Sequence, residues 1–166
     1  MEISIRTITL FASIILTGLS AGLFYAWAVS VIPGTKQIQS ITYMETMQSI
    51  NKAIINPAFF LIFFGSLFAM AGASFFEFSN DKTVFTIILL ATFIYLVGTL
   101  VVTVFGNVPL NEELEALRLN ELSSDRIENF RNYYETKWNR LHMIRTAFSL
   151  ISFALLVIAA LFQIKN

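Results

Sequence analysis

Between Thr103 and Leu114 the chain reads TVFGNVPLNEEL, and here a long uncharged segment meets a strongly charged one. Two asparagines, Asn107 and Asn111, flank Pro109 at the edge of the apolar run. Pro109 lacks an N–H and biases Val108 toward extended backbone, while Asn111 is a good cap for a helix beginning NEEL. The local chemistry therefore predicts a helix that stops near Asn107 and another that starts at Asn111. A turn of this kind at membrane depth sets amide groups beside hydrocarbon, which makes it the first place to look for a polar site.

Outward from this stretch, composition defines the class. The 166 residues are 56% hydrophobic and 13% charged, with 17 Phe and a mean hydropathy of +0.69, well outside the range of soluble domains. Uncharged intervals long enough to span a bilayer are expected at 7–33, 54–76, 83–106 and 145–164. The last, between Arg145 and Lys165, holds nineteen residues, roughly 28 Å at the helical rise. Four spans predict an all-α, four-transmembrane-helix bundle in one domain, 1–166, surrounded by membrane lipids. Gly18, Gly22 and Ala26, and again Gly65, Ala69 and Ala73, form small-residue stripes at helical spacing. Such stripes allow close helix approach, either inside the bundle or between copies in a homo-oligomer.

Two long connections carry the polar residues. In 37–55, Ile41, Tyr43, Met44, Met47, Ile50 and Ile54 share one helical face opposite Thr42, Glu45, Ser49 and Lys52, the pattern of an amphipathic helix. It serves either as an interfacial helix or as a lid that turns Gln48 and Asn51 inward. Asn56 and Pro57 open the following span. The second connection, 111–143, reads as a helical pair broken at Ser123–Asp125. An even number of spans puts both connections on one side. There the basic residues concentrate: Lys36, Lys52, Arg118, Arg126, Arg131, Lys137, Arg140 and Arg145, against Arg6, Lys82 and Lys165 on the other side. The positive-inside rule then predicts cytoplasmic long loops with both termini outside, in a bacterial inner membrane.

Several chemistries are disfavoured. Zero formal net charge gives no field toward nucleic acid, which is not an expected partner. No cysteine and a single histidine leave no disulfide, thiolate or clustered-histidine metal site, and no phosphate-cradling glycine loop is present. Glu112, Glu113 and Glu115 fall in a helix's first turn, where acidic side chains are favoured electrostatically, so no metal is expected.

What remains is a candidate site on the long-loop side. Trp138, His142 and Arg145, spaced by four and three, share one helical face before the last span. His142 is a candidate base and Arg145 a candidate stabiliser of a developing anion. Asn107, Asn111, Tyr25, Gln48 and Asn51 are expected to complete the wall and orient a substrate. The same residues also fit a purely structural hydrogen-bond network, with Trp138 as an interfacial anchor and Arg145 on headgroups.

Four segments, GLFYAWAVSVIPG (22–34), MQSINKAIINPAFFLIFFG (47–65), TVFGNVPLNEEL (103–114) and WNRLHMIRT (138–146), resemble in that order the anthrone-oxygenase-like family of small four-helix membrane proteins. The most specific pieces are INxxIxNPxF and NVPLN, followed by the tryptophan and arginine before the last span. The resemblance implies oxidation of an anthrone-like, apolar aromatic phenol by dioxygen without a cofactor. Two further classes stay open: a non-enzymatic small-molecule binding protein, and a structural membrane subunit. Oxygen uptake separates the first from both.

Overall fold

The computed structural model describes residues 4–165. Residues 1–3 and 166, included in the expected domain, lie outside the described residues, as does the side chain of Lys165. All regular structure among the described residues is helical. Helix α1 (Ile5–Ala26) starts at Ser4, whose side chain accepts from the Thr7 amide, and passes through a π-helical turn (Trp27–Val31) into α2 (Ile32–Thr35). Helix α3 (Ser40–Ala53) is the amphipathic segment. Helix α4 (Pro57–Glu77) is capped by Asn56, whose side chain accepts from the Phe59 amide, with Pro57 in its first turn. Helix α5 (Lys82–Tyr95) is capped by Asp81 and continues through π-helical turns at Leu96–Val101 and Thr103–Asn107 into α6 (Val108–Glu115). After one 3₁₀ turn (Leu119–Glu121), α7 runs unbroken from Ser124 to Lys165.

Four helical stretches are long and apolar enough to cross a membrane: Ile5–Thr35, Pro57–Glu77, Lys82–Glu115 and Ser124–Ile164. The protein is a four-helix, multi-pass membrane protein whose exposed apolar side chains, such as Phe68, Phe75 and Phe105, form a surface suited to lipid.

Pro109 does not stop the third helix. Val108 is right-handed helical (φ −62°, ψ −49°), and its N–H bonds the Thr103 carbonyl five residues back. At the end of α1 the Ile32 N–H likewise bonds Trp27 O, just before Pro33. Each wide turn ends two residues before a proline. The widening gives room at the carbonyl four residues back, which the pyrrolidine ring would otherwise strike, so both helices continue. Asn111 consequently sits inside α6 rather than capping it.

The other departure is α7. The helix of the second connection and the last span are one element, because 124–165 contain neither Gly nor Pro to interrupt the helix. At 42 residues, α7 is about 63 Å long, roughly twice a hydrocarbon core, so its first half projects beyond the bundle.

That projection carries α3. Tyr43, Met44 and Met47 are buried against Leu110, Leu114, Ile127, Tyr134 and Trp138, so the amphipathic face lies on protein. Arg131 fastens the entry to α3, donating to the carbonyls of Ile38 (2.6 Å) and Thr35 (3.1 Å) and to Glu135 (3.0 Å). Burial raises the Tyr43 phenol above its ordinary value, so Tyr43 packs as a neutral ring 4.6 Å from the Arg131 guanidinium carbon.

A second apolar cluster, including Leu10, Met70, Ile88, Tyr95 and Leu156, fills the other half. Its far end is tied by Glu77, which accepts from Arg6 and Gln163. The stripes pack only in part. Gly18 faces Phe153, Gly65 meets Leu16 and Ala73 is buried, whereas Gly22 and Ala26 face outward. The buried face of α1 is instead Leu10, Ser13, Thr17, Ser20, Ala21 and Phe24.

Candidate functional site

Along α7, Trp138 belongs to the first apolar cluster and Leu156 to the second; His142 and Arg145 lie between them. Along the third span, Tyr95 and Leu110 bracket Thr103 and Asn107 in the same way. The polar groups therefore meet at one level between two dry cores.

His142 is fully buried. Its ring stacks on Trp138 (5.1 Å between centroids, 6° between planes) and its Nε2–H donates to the Phe24 carbonyl at 3.0 Å. Its Nδ1 accepts from Arg145 Nε (3.2 Å) and Nη2 (3.0 Å). A carbonyl only accepts and a guanidinium only donates, so the two contacts assign the Nε2–H tautomer. Both ring nitrogens are committed. In this arrangement the Nδ1 lone pair of His142, the group expected as a base, is taken up by Arg145.

Arg145 is 7% exposed. Its guanidinium carbon lies 4.6 Å from the Phe24 ring centre and 5.0 Å from that of Trp138, and Nη1 reaches Thr103 Oγ1 at 3.4 Å. Three of its five N–H groups thus have acceptors. Among the described residues no carboxylate pairs with it; the ion pairs are Arg6–Glu77, Lys52–Glu115, Arg118–Glu121 and Arg131–Glu135. Buried cations ordinarily are paired, because taking a guanidinium out of water costs several kcal/mol of solvation, by order-of-magnitude reckoning.

The uncompensated guanidinium borders a cavity of about 90 Å³. Leu23, Phe24, Trp27, Ile50, Ile54 and Phe59 supply apolar walls, and Asn51, Thr103, Asn107, Asn111, Trp138, His142 and Arg145 the polar side. Asn107 is fully buried; its Nδ2 donates to the Trp138 carbonyl (3.2 Å) and its Oδ1 has no partner. Asn111 Oδ1 accepts from Tyr134 OH (3.0 Å) and Trp138 Nε1 (2.8 Å). A groove of about 270 Å³ between α3 and α6 shares Asn51, Ile54 and Asn111 with the cavity, and the Lys52–Glu115 ion pair (2.6 Å) flanks it.

Six of the eight residues singled out in the sequence line this cavity: Asn51, Asn107, Asn111, Trp138, His142 and Arg145. Tyr25 does not; it is 53% exposed on the outer face of α1. Gln48 points instead to the end of α6, donating to the carbonyls of Leu114 (2.9 Å) and Leu117 (3.2 Å). One residue before Tyr25, Phe24 takes the place expected for it, and with Trp27 at i+3 forms the inward face of α1. Thr103 also belongs to the wall without having been expected there, although a hydroxyl one turn before Asn107 is a readable signal.

A membrane four-helix bundle whose cavity has apolar and polar walls, with a buried guanidinium that has no carboxylate partner among the described residues, defines the class. The model of the anthrone oxygenase family matches residues 47–155, more than half of the chain, and the chain belongs to that family. No curated protein and no solved structure matches it.

Proposed function

We propose that the protein is a membrane-embedded, cofactor-independent oxygenase of an anthrone-like polycyclic phenol. The observation that carries this reading is Arg145, a cation at the cavity wall with no carboxylate partner among the described residues, in a family named for anthrone oxidation. Loss of a proton from the ring CH₂ of an anthrone to water that enters with the substrate yields an enolate whose charge rests on oxygen. Arg145 stabilises that oxyanion, and the low-dielectric surroundings strengthen the attraction. The carbanionic carbon then combines with dioxygen, and the resulting peroxide anion takes the proton back from water to give a hydroperoxide. Loss of water from the hydroperoxide, with cleavage of the O–O bond and of the remaining C–H bond, leaves a quinone carbonyl. In total, CH₂ and O₂ become C=O and H₂O, so dioxygen is the only oxidant and no external reductant enters. Phe24, Trp27, Phe59 and Trp138 offer aromatic faces to the rings.

A cavity of 90 Å³ is below the ~300 Å³ lower range of drug-sized ligand sites, so the substrate enters by parting α3 from α6 along the adjoining groove. The test is oxygen uptake and anthraquinone formation by the protein in lipid nanodiscs, wild type against Arg145→Met. Uptake that depends on Arg145 supports the reading; binding without uptake by the wild type makes this a binding protein. We place the protein in a bacterial inner membrane with the long loops in the cytoplasm, from the excess of basic residues there. Cytoplasmic activity of a C-terminal reporter would reverse that orientation.

A further inference from the structure

Of the groups facing the cavity, Asn107 carries the acceptor that nothing satisfies. Its amide cannot be turned round: Trp138 O accepts only, so Nδ2 must face it at 3.2 Å and Oδ1 must face away. The residue is fully buried, where an unpaired acceptor is costly and calls for a partner. Asn107 stands one helical turn after Thr103, which Arg145 Nη1 touches, so the orphan acceptor and the unpaired cation belong to one end of the cavity.

We infer that Asn107 is a specificity-determining residue whose Oδ1 accepts a hydrogen bond from a hydroxyl group of the ligand. The ligand therefore presents two different oxygens to this end of the cavity. One carries negative charge against Arg145; the other keeps its proton for Asn107. A ring system whose oxygens are all acceptors, as in an unsubstituted quinone, leaves Asn107 unsatisfied and binds more weakly. The inference rests on the proposed ligand class, but it concerns binding and can be read without turnover.

The chain's two tryptophans, Trp27 and Trp138, both line the cavity and report occupancy by fluorescence quenching. Anthrone and its 1-, 2- and 3-hydroxy derivatives are titrated into the protein in lipid nanodiscs, with oxygen uptake recorded in parallel. At least one hydroxylated compound should bind about tenfold tighter than anthrone, the worth of one buried hydrogen bond, and its position locates the donor. Asn107→Leu should bring that ratio to about one. Equal wild-type affinities, or a preference that survives in Asn107→Leu, overturn the assignment. If Asn107→Leu fails to fold, Asn107→Ala and the wild-type ratio decide. A preference without oxygen uptake leaves Asn107 in place and removes the oxygenase reading; uptake without a preference does the reverse.

Discussion

Two buried arginines on α7 should respond in opposite ways to the same substitution. Arg131 faces Glu135 and the carbonyls of Thr35 and Ile38; Arg145 faces an imidazole, a threonine hydroxyl and two aromatic rings. Arg131→Met strands a largely buried carboxylate and two carbonyls, a loss of about 3–5 kcal/mol for a broken buried pair. At roughly 2–4 °C per kcal/mol for a chain of this size, Tm should fall by about 6–20 °C. Arg145→Met removes the charged hydrogen bonds to His142 Nδ1 and Thr103 Oγ1, about 1.5–3 kcal/mol each, together with the contacts to the Phe24 and Trp138 rings, and leaves His142 Nδ1 unpaired. It also relieves an uncompensated desolvation penalty of several kcal/mol, on the order of what is lost. The net change should stay within about 1 kcal/mol of zero, a shift of at most about 4 °C, while ligand binding is lost. The assay is thermal unfolding by tryptophan fluorescence in one detergent, paired with ligand titration. If Arg145→Met falls as far as Arg131→Met, Arg145 is a structural tie and the anion-site argument fails.

The same geometry fixes three further outcomes. His142→Gln should lower kcat/KM by less than about tenfold, because an amide oxygen still accepts from Arg145, whereas a lost general base costs roughly 10²–10⁴-fold; a fall of that size would return the base role to His142. Gly98→Ala should destabilise by about 1–3 kcal/mol, since a Cβ there overlaps Phe148, while Gly72→Ala, with open space at its Cβ, should be silent in the same unfolding assay. Because the chain has no cysteine, Lys52→Cys with Glu115→Cys can be bridged selectively by a short bis-maleimide. The bridge should slow turnover at least about tenfold if α3 must part from α6, and unchanged turnover would put the entrance elsewhere.

Much of the fold was legible in the sequence because membrane spans and amphipathic faces are one-dimensional patterns. The face of α3 and the parity of the spans were enough to bring Asn51, Asn107, Trp138, His142 and Arg145 to one level. Helix phase was less legible. Tyr25 and Phe24 are neighbours in an apolar stretch of helix, so hydrophobic periodicity does not distinguish which ring faces inward. The π turn at Thr103–Asn107 hid the continuity through Pro109 in the same way; a proline reads as a stop unless the turn before it widens. Partner choice was not legible at all. Nothing in WNRLHMIRT tells that Arg145 takes up the lone pair of His142, which turns the expected base into a support for the guanidinium.

The central claim is that dioxygen supplies the new carbonyl oxygen at the ring carbon opposite, and conjugated with, the oxyanion that Arg145 holds. A single-turnover reaction of the nanodisc-embedded protein with an anthrone under isotopically heavy dioxygen, read by mass spectrometry of the product, tests it most directly. One heavy atom should enter each anthraquinone and the second should leave in water, with the yield collapsing in Arg145→Met. A product whose new oxygen comes from solvent, or a yield that is indifferent to Arg145, would contradict the account.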